Sequence, residues 1–293
     1  EQIIRSVWAD ASVDEQKSYG LAALAEYCYS GGVSYSILKR AHRNDALNAQ
    51  LVNATALPLA YSTDGEYVLP LNPILGERIL QGLARNKPQL LSSLFQHLAL
   101  ALAPYVNRHT IVRRSPEARL AGRLFSAENV VKPLLGELAE QFFVAVKDRW
   151  EWNSRYWEQR SLLLQDTNLE QAIQFARHAV AIEDHPFTKT TLASLLTREL
   201  EGDRIPTAEQ IEKIIALLDD ALKGEQRRGW RPTPHPYAVL FKAIEIGLRK
   251  GVSASHSTNE RAFEHADKCR QSFPRDSALL LSVDRALGLM RAS

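Results

Sequence analysis

Cysteine is scarce: the chain of 293 residues has two, Cys28 and Cys269, too few for a disulfide framework. Both fall at apolar positions of helical patterns, where a free thiol packs as a small hydrophobe, and a reduced, cytoplasmic setting is expected. Long apolar runs are missing as well; none approaches the roughly 18 residues of a membrane helix, so no membrane partner is expected. Glu1-Gln2-Ile3-Ile4-Arg5 has neither the basic nor the apolar region of a signal peptide. It also lacks an initial methionine and starts within a helical pattern, so further sequence upstream is expected. Charge of one sign is not in excess: 36 basic and 34 acidic residues leave a net charge of +2, without the global basic field of a nucleic-acid binder. The chain has no phosphate loop, no G-x-G-x-x-G turn, no G-x-S-x-G elbow and no H-E-x-x-H helix. No stretch announces a catalytic site.

What is present is ordinary for a globular chain. Hydrophobic residues make up 45% and charged residues 24%, over a length that allows two or three cored domains. Leu21, Leu24, Ala25 and Cys28 predict a helix over 14–29 that stops at Gly31-Gly32. Short helices over 34–43 and 46–53 follow. The period then changes. Leu57–Ser62 and Glu66–Leu71 flank Thr63-Asp64-Gly65, and Asp-Gly between two apolar runs predicts a hairpin with a type I′ turn. Pro58 and Pro70 confine its strands to an edge or to their ends. Residues 73–84 return to helix. Three short helices and a β-ribbon make the winged-helix pattern, which serves either DNA reading or protein packing. The cations Lys39, Arg40, His42 and Arg43 lie on the second helix and not on the third, where bases would be read. That favours packing, with DNA the less favoured partner.

Residues 89–105 predict an apolar helix (Leu90, Leu91, Leu94, Leu98, Leu102) that ends at Pro104. Ser115-Pro116-Glu117 is a helix start, with serine as N-cap, proline at the first position and an acid in the first turn. Arg108, His109, Arg113, Arg114, Arg119 and Arg123 form the most basic local stretch. It is either a phosphate-binding patch or a solvated face paired with acids such as Glu117 and Glu128. Arg113 and Arg114, together with Lys39 and Arg40, are the candidates for a phosphate or nucleic-acid contact. A further helix is expected over 126–149, with Leu134, Leu135, Leu138, Phe142 and Val146 inward and Pro133 placing its true start near Lys132.

From Trp150 the pattern becomes periodic. Asn168-Leu-Glu-Gln171, Thr207-Ala-Glu-Gln210 and Ser257-Thr-Asn-Glu260 each fit a capping box. Between them lie partner helices over 187–200, 237–249 and 278–291. The capped starts are roughly 40 to 50 residues apart, longer than the tetratricopeptide period of about 34. The extra length sits in the loops 202–206, 224–236 and 251–257. Ala262, Ala266, Cys269 and Pro274 resemble the second helix of a tetratricopeptide repeat, and Ala172, Ala176 and Ala179 repeat the spacing. The expected fold is mostly α: a winged-helix-like module with one hairpin over 1–88, a helical connector over 89–149 and a tetratricopeptide-like α-solenoid over 150–293.

Chemistry is sparse. His265 and Cys269 have the spacing of a metal-ligand pair, but zinc needs three or four ligands and no others are in view, so a core cysteine beside a histidine is the expected arrangement. His97, His178 and His185 are isolated. Asp219-Asp220 and Glu183-Asp184 are adjacent pairs, which point apart on a helix. The cluster Trp150, Trp152, Tyr156, Trp157 either packs a joint before the repeats or offers Tyr156 and Trp157 to a protein partner. Trp230, in Arg227-Arg228-Gly229-Trp230-Arg231, is the better candidate for an exposed anchor, because tryptophan and arginine dominate interface hot spots.

Taken together, Tyr67–Leu80, Arg113–Phe125 and Trp152–Arg160 resemble segments of bacterial STAND proteins, signal-transducing ATPases of the NACHT or NB-ARC type that act in antiviral defence. The resemblance implies a non-catalytic winged-helix and repeat region behind an ATPase and an effector. A foreign protein, such as one from phage, would bind the repeats, and oligomerisation would follow activation. ATP and Mg²⁺ would belong to the upstream ATPase, with no cofactor and no enzyme activity in this region. One departure stands out. Where many family members carry a nucleotide-sensing histidine, this chain has Leu71-Asn72-Pro73. The alternative is a winged-helix transcription regulator with a ligand-sensing repeat domain.

Overall fold

The computed structural model describes residues 8–42, 57–63, 65–106, 115–252 and 255–292. Over these the chain is mostly helical, with one small three-stranded sheet. It divides into two units, Glu1–Leu163 and Leu164–Ser293. The first takes in the segments 1–88 and 89–149 and the start of 150–293. Among the described residues no helix is long and apolar enough to cross a membrane.

In the first unit α1 (Val13–Cys28) is the central helix. A capping box starts it: the Ser12 side chain accepts from Glu15 N–H, and the Glu15 carboxylate accepts from Ser12 N–H at 2.8 Å. These bonds satisfy donors that a helix start leaves open. Every residue from Ser18 to Ala25 is buried, so α1 is covered on all sides, as a core helix must be. Its cover is α2 (Tyr35–His42), α3 (Pro73–Asn86), α4 (Pro88–Leu102), α5 (Pro116–Leu124) and the sheet. Asn72 is the N-cap of α3, its side chain accepting from Leu75 N–H at 3.1 Å.

The strands β1 (Val33–Ser34), β2 (Leu59–Tyr61) and β3 (Tyr67–Pro70) pair antiparallel in the order β1-β3-β2. Val68 stands opposite both Val33 and Tyr61. The expected hairpin is present, but its turn differs. Ser62 N–H donates to Tyr67 O at 2.9 Å, and Tyr67 N–H donates to Ser62 Oγ at 3.0 Å. The serine closes the ladder, and the connection is longer than a two-residue type I′ turn. β1 escaped the sequence reading because two residues carry no period. The expected helix over 46–53 lies outside the described residues, as do Arg43, Asp64, Arg108, His109, Arg113 and Arg114.

The single helix expected over 126–149 is broken. A π-turn over Ala127–Val131 passes into α6 (Lys132–Leu135). Gly136 then takes φ 51° and ψ −120°, and a 3-10 turn leads to α7 (Ala139–Trp150). That backbone geometry is open to glycine and costly elsewhere. The buried Gln159 side chain accepts from Ala127 N–H at 2.9 Å, holding the start of the π-turn. Gln159 lies on α8 (Ser154–Leu164), with Tyr156 and Trp157.

An aromatic core joins these pieces. Phe125 lies 4.7 Å from Trp150, 5.5 Å from Phe142 and 5.8 Å from Tyr156, centroid to centroid. The polar ends are all satisfied, as buried tryptophan and tyrosine require. Trp150 Nε1–H donates to Ala99 O at 3.0 Å, Tyr156 Oη–H to Phe143 O at 2.8 Å and Trp157 Nε1–H to Glu151 O at 2.6 Å. Burial pushes the Tyr156 phenol up to about 12.

The second unit contains α9 (Leu169–Ile182), α10 (Pro186–Leu200), α11 (Ala208–Arg227), α12 (Pro234–Arg249), α13 (His256–Ser272) and α14 (Ser277–Ala292). Each packs on the next, and α10 also packs on α12, which packs on α14. Leu192, Leu196, Ile211, Ile215, Leu240, Phe241 and Val283 belong to one continuous apolar core. Thr207 and Gln210 form the expected capping box, and Asn168 caps α9 through Gln171 N–H. The third start is displaced. α13 begins at His256 behind Ser255, not at Ser257, because Ser255 N–H is held by the Glu212 carboxylate of α11 at 3.0 Å.

Candidate partner-binding surface

The sequence builds an aromatic platform where α10 begins and α11 ends. His185 is the N-cap of α10, its Nδ1 accepting from Phe187 N–H at 3.2 Å. This fixes Phe187 in the first turn. Pro186 packs against α11 at Gly224, where an added Cβ would stand 2.9 Å from the proline ring; only glycine allows so close an approach. After Arg227 the chain turns at Gly229, which has φ 65°. It then folds back on the buried carboxylate of Glu225, which accepts from Thr233 Oγ1–H at 2.9 Å. Trp230 N–H donates to Glu225 O at 3.1 Å. The loop thereby lays Trp230 over Phe187, with centroids 5.5 Å apart and planes 25° from parallel. His185 lies 5.3 Å from Trp230 and 5.1 Å from Phe187.

Two large rings stay open to solvent, Trp230 at 39% and Phe187 at 37% of their full exposure. Around them the charge is mixed, with Arg227, Arg228 and Arg231 beside Asp184 and Asp220. The Arg228 guanidinium stands 5.4 Å from the centre of the Trp230 ring, a cation–π arrangement. Arg227 reaches Asp220 at 3.3 Å, and Arg231 is exposed. Beneath, the buried Lys189 ammonium bridges the carboxylates of Asp184 and Asp220. Burial alone would push its pKa down, but those two carboxylates hold it above the usual lysine range. The platform therefore stands on a neutralised ionic base, with arginines at its edge. Exposed rings beside arginines are the residue types that dominate protein interface hot spots.

The sequence candidates separate clearly. Arg227, Arg228, Trp230 and Arg231 come together here. His185 and Phe187 complete the platform but were not chosen from the sequence; the signal available was an aromatic residue in the first turn after a His-Pro helix start. Tyr156 and Trp157 do not belong to any exposed surface. Tyr156 is fully buried, and Trp157 keeps 7% of its exposure, because both rings bond to backbone carbonyls of the first unit. Lys39 and Arg40 sit on α2. The Lys39 ammonium lies 5.5 Å from the Tyr35 ring, and Arg40 is exposed. Arg113 and Arg114 lie outside the described residues.

Among the described residues no three histidine, cysteine or carboxylate side chains gather as a metal site. His265 instead meets Asp219 at 3.1 Å, and the same carboxylate pairs with Lys223 at 2.7 Å. Asp220 points the other way, to Lys189 and Arg227, as adjacent helix positions must. Burial pushes the Cys269 thiol up to about 11, so it stays protonated and inert. No protein-family model, no curated protein and no solved structure matches the chain.

Proposed function

We propose that the chain is the non-catalytic sensor and regulatory region of a STAND-type ATPase of bacterial antiviral defence. The observation that carries this reading is the Phe187–Trp230 platform with its arginines, exposed on a unit of successively packed helices. In this reading α9 to α14 are tetratricopeptide-like hairpins of an α-solenoid, which suits a protein-binding array. The packing of α10 on α12 and of α12 on α14 supports it. A foreign protein, such as a phage protein, docks on the platform and shifts the ATPase population toward an active, oligomerising state. ATP and Mg²⁺ belong to that ATPase. The first unit serves as the winged-helix restraint. Its order α1-β1-α2, then β2-β3, and the sheet order β1-β3-β2 support this. The test uses the full-length protein with a cognate ligand. Trp230→Ala with Phe187→Ala should abolish ligand-stimulated ATP hydrolysis and assembly while basal hydrolysis persists. Stimulation that survives the double substitution rejects the reading.

A second reading has its own support. The same sheet order also fits a DNA-binding winged helix in a transcription regulator, with Lys39 and Arg40 contacting phosphates. Duplex binding that falls steeply with salt, and falls again in Lys39→Ala with Arg40→Ala, would favour it.

A further inference from the structure

α12 begins Thr233-Pro234-His235-Pro236. A threonine at the N-cap ordinarily accepts from the N–H of the second or third helical residue. The third residue here is Pro236, which has no N–H, and the Thr233 side chain makes no capping bond. Its hydroxyl donates backwards instead, to Glu225 Oε1 at 2.9 Å, and Thr233 N–H approaches Glu225 Oε2 at 3.4 Å. Both oxygens of a carboxylate on α11 are thus taken by the residue that starts α12.

Glu225 is 3% exposed. Its carboxylate is met by Thr233 and, among the described residues, by no basic side chain. A buried charge needs compensation, and α12 supplies it, because the carboxylate lies at the N-terminus of that helix, the positive end of its dipole. The backbone of the same residue is a second anchor. Glu225 O accepts from Trp230 N–H at 3.1 Å and Gln226 O from Gly229 N–H at 3.0 Å, with Gly229 at φ 65°. These are the paired bonds of a Schellman helix stop. Glu225 therefore holds the loop at two points, Trp230 through its carbonyl and Thr233 through its carboxylate. Only Arg231 and Pro232 lie between them.

We infer that Glu225 is the positioning residue of the aromatic platform: its clasp on Thr233 sets Trp230 on Phe187 in the free protein, so the platform is preorganised and does not form around a partner. That the platform serves a protein partner rests on the reading above; the clasp does not. Preorganisation would matter to such a partner because the cost of ordering the loop is removed from binding.

The experiment records fluorine NMR spectra of the full chain labelled with 5-fluorotryptophan, in which the five tryptophans give five resonances. Trp230→Phe identifies the Trp230 signal by its loss, and Phe187→Ala gives its position without the stacked ring. In Glu225→Ala and in Thr233→Val the Trp230 signal should move toward that unstacked position and broaden more in the presence of a soluble paramagnetic agent, while the other four stay in place. Thr233→Ser keeps the hydroxyl and should leave the signal where it is. The double variant Glu225→Ala with Thr233→Val should move it no further than Glu225→Ala alone, as for two members of one interaction. A Trp230 signal that stays in place in Thr233→Val overturns the inference, as does one displaced equally by Thr233→Ser. Movement of all five signals in Thr233→Val also overturns it, since the pair would then support the whole chain and not the platform. No ligand enters these spectra, so a failure of the clasp is distinct from a failure of the partner-binding reading, which the Trp230 and Phe187 alanine variants test.

Discussion

The two units each contain a cluster of stacked rings, and the clusters have opposite fates. In the first unit Phe125, Phe142, Phe143, Trp150 and Tyr156 are each at most 2% exposed, while in the second Phe187 and Trp230 keep 37% and 39%. The ring spacings are similar, 4.7 Å for Phe125 with Trp150 and 5.5 Å for Phe187 with Trp230. Aromatic density therefore does not separate core from surface here. What separates them is the backbone around the rings. Helices α4, α5, α7 and α8 bring rings in from several directions, and carbonyls of those elements take up the polar ends. Trp230 sits on a loop that folds back on its own helix, so only Phe187, His185 and Arg228 are seen against its ring, and the rest stays open.

The difference is broken most directly by truncating one ring in each cluster. Phe125→Ala should cost about 3–5 kcal/mol of stability, because removal of a buried ring loses its transfer energy and leaves a cavity. Trp230→Ala should cost less than about 1 kcal/mol, as for a residue that leaves no enclosed cavity. Hydrogen exchange in peptides of α7 and of α10 would read the two separately. A Phe125→Ala protein that melts like the parent would mean that the first cluster is looser than its packing implies. For ligand binding the order reverses. Trp230→Ala should weaken a protein partner by about 2 kcal/mol or more, the scale of a hot spot, while Trp157→Ala should leave affinity unchanged and lower stability.

A smaller effect comes from the helix starts. Thr207→Ala should destabilise the second unit by about 1 kcal/mol through loss of the capping box, and Ser257→Ala by nothing measurable, since Ser257 lies inside α13. A cost at Ser257 equal to that at Thr207 would show that the cap has been misplaced.

These starts also mark what the sequence could yield. A cap, an apolar face and a proline are local, so α1, α5, α9 and α11 were legible within a few residues. Asp-Gly announced a hairpin, yet not its length, because the closing bond comes from a serine hydroxyl outside the turn. The strand β1 is made by its partner Val68 and not by its own two residues. The break at Gly136 follows from one backbone angle, and glycine in a helical pattern does not declare its φ. The platform was half legible. Trp230 and its arginines stood out as a polar loop with one large ring. The rings under it belong to residues about 45 positions earlier, brought there by the packing of α10 on α11, which no local pattern encodes. The burial of Tyr156 and Trp157 is likewise a matter of tertiary contact.

The smallest expected effect concerns acid, and it distinguishes the units by their buried histidines. In the first, His42 meets the Ser18 hydroxyl at 2.8 Å; in the second, His265 meets Asp219 at 3.1 Å. Burial is the main influence on both and pushes each pKa below the usual value of 6.5. For His42 the Lys17 charge adds to burial, and Asp14 opposes it. For His265 the Asp219 carboxylate opposes burial, Lys268 adds to it and Glu264 opposes it. A lowered pKa means that the unfolded chain takes up the proton first. Each histidine therefore contributes stability that is present above pH about 6.5 and is lost as pH falls from there through the folded pKa. The slope is limited to about 1.4 kcal/mol per pH unit for each histidine, the value of one proton. The Asp219 carboxyl adds its own dependence lower down. Burial pushes it up, but Lys223 and His265 together hold it below 3.8, so its contribution disappears only as pH falls beneath that value. Urea unfolding followed by hydrogen exchange at pH 7.5, 6.5 and 5.5 should show both units weakening with acid. His42→Gln should flatten the dependence in α1 and α2 alone, and His265→Gln in α11 and α13 alone. If either substitution flattens both, the two units unfold as one, and the contrast between their ring clusters describes a single cooperative structure.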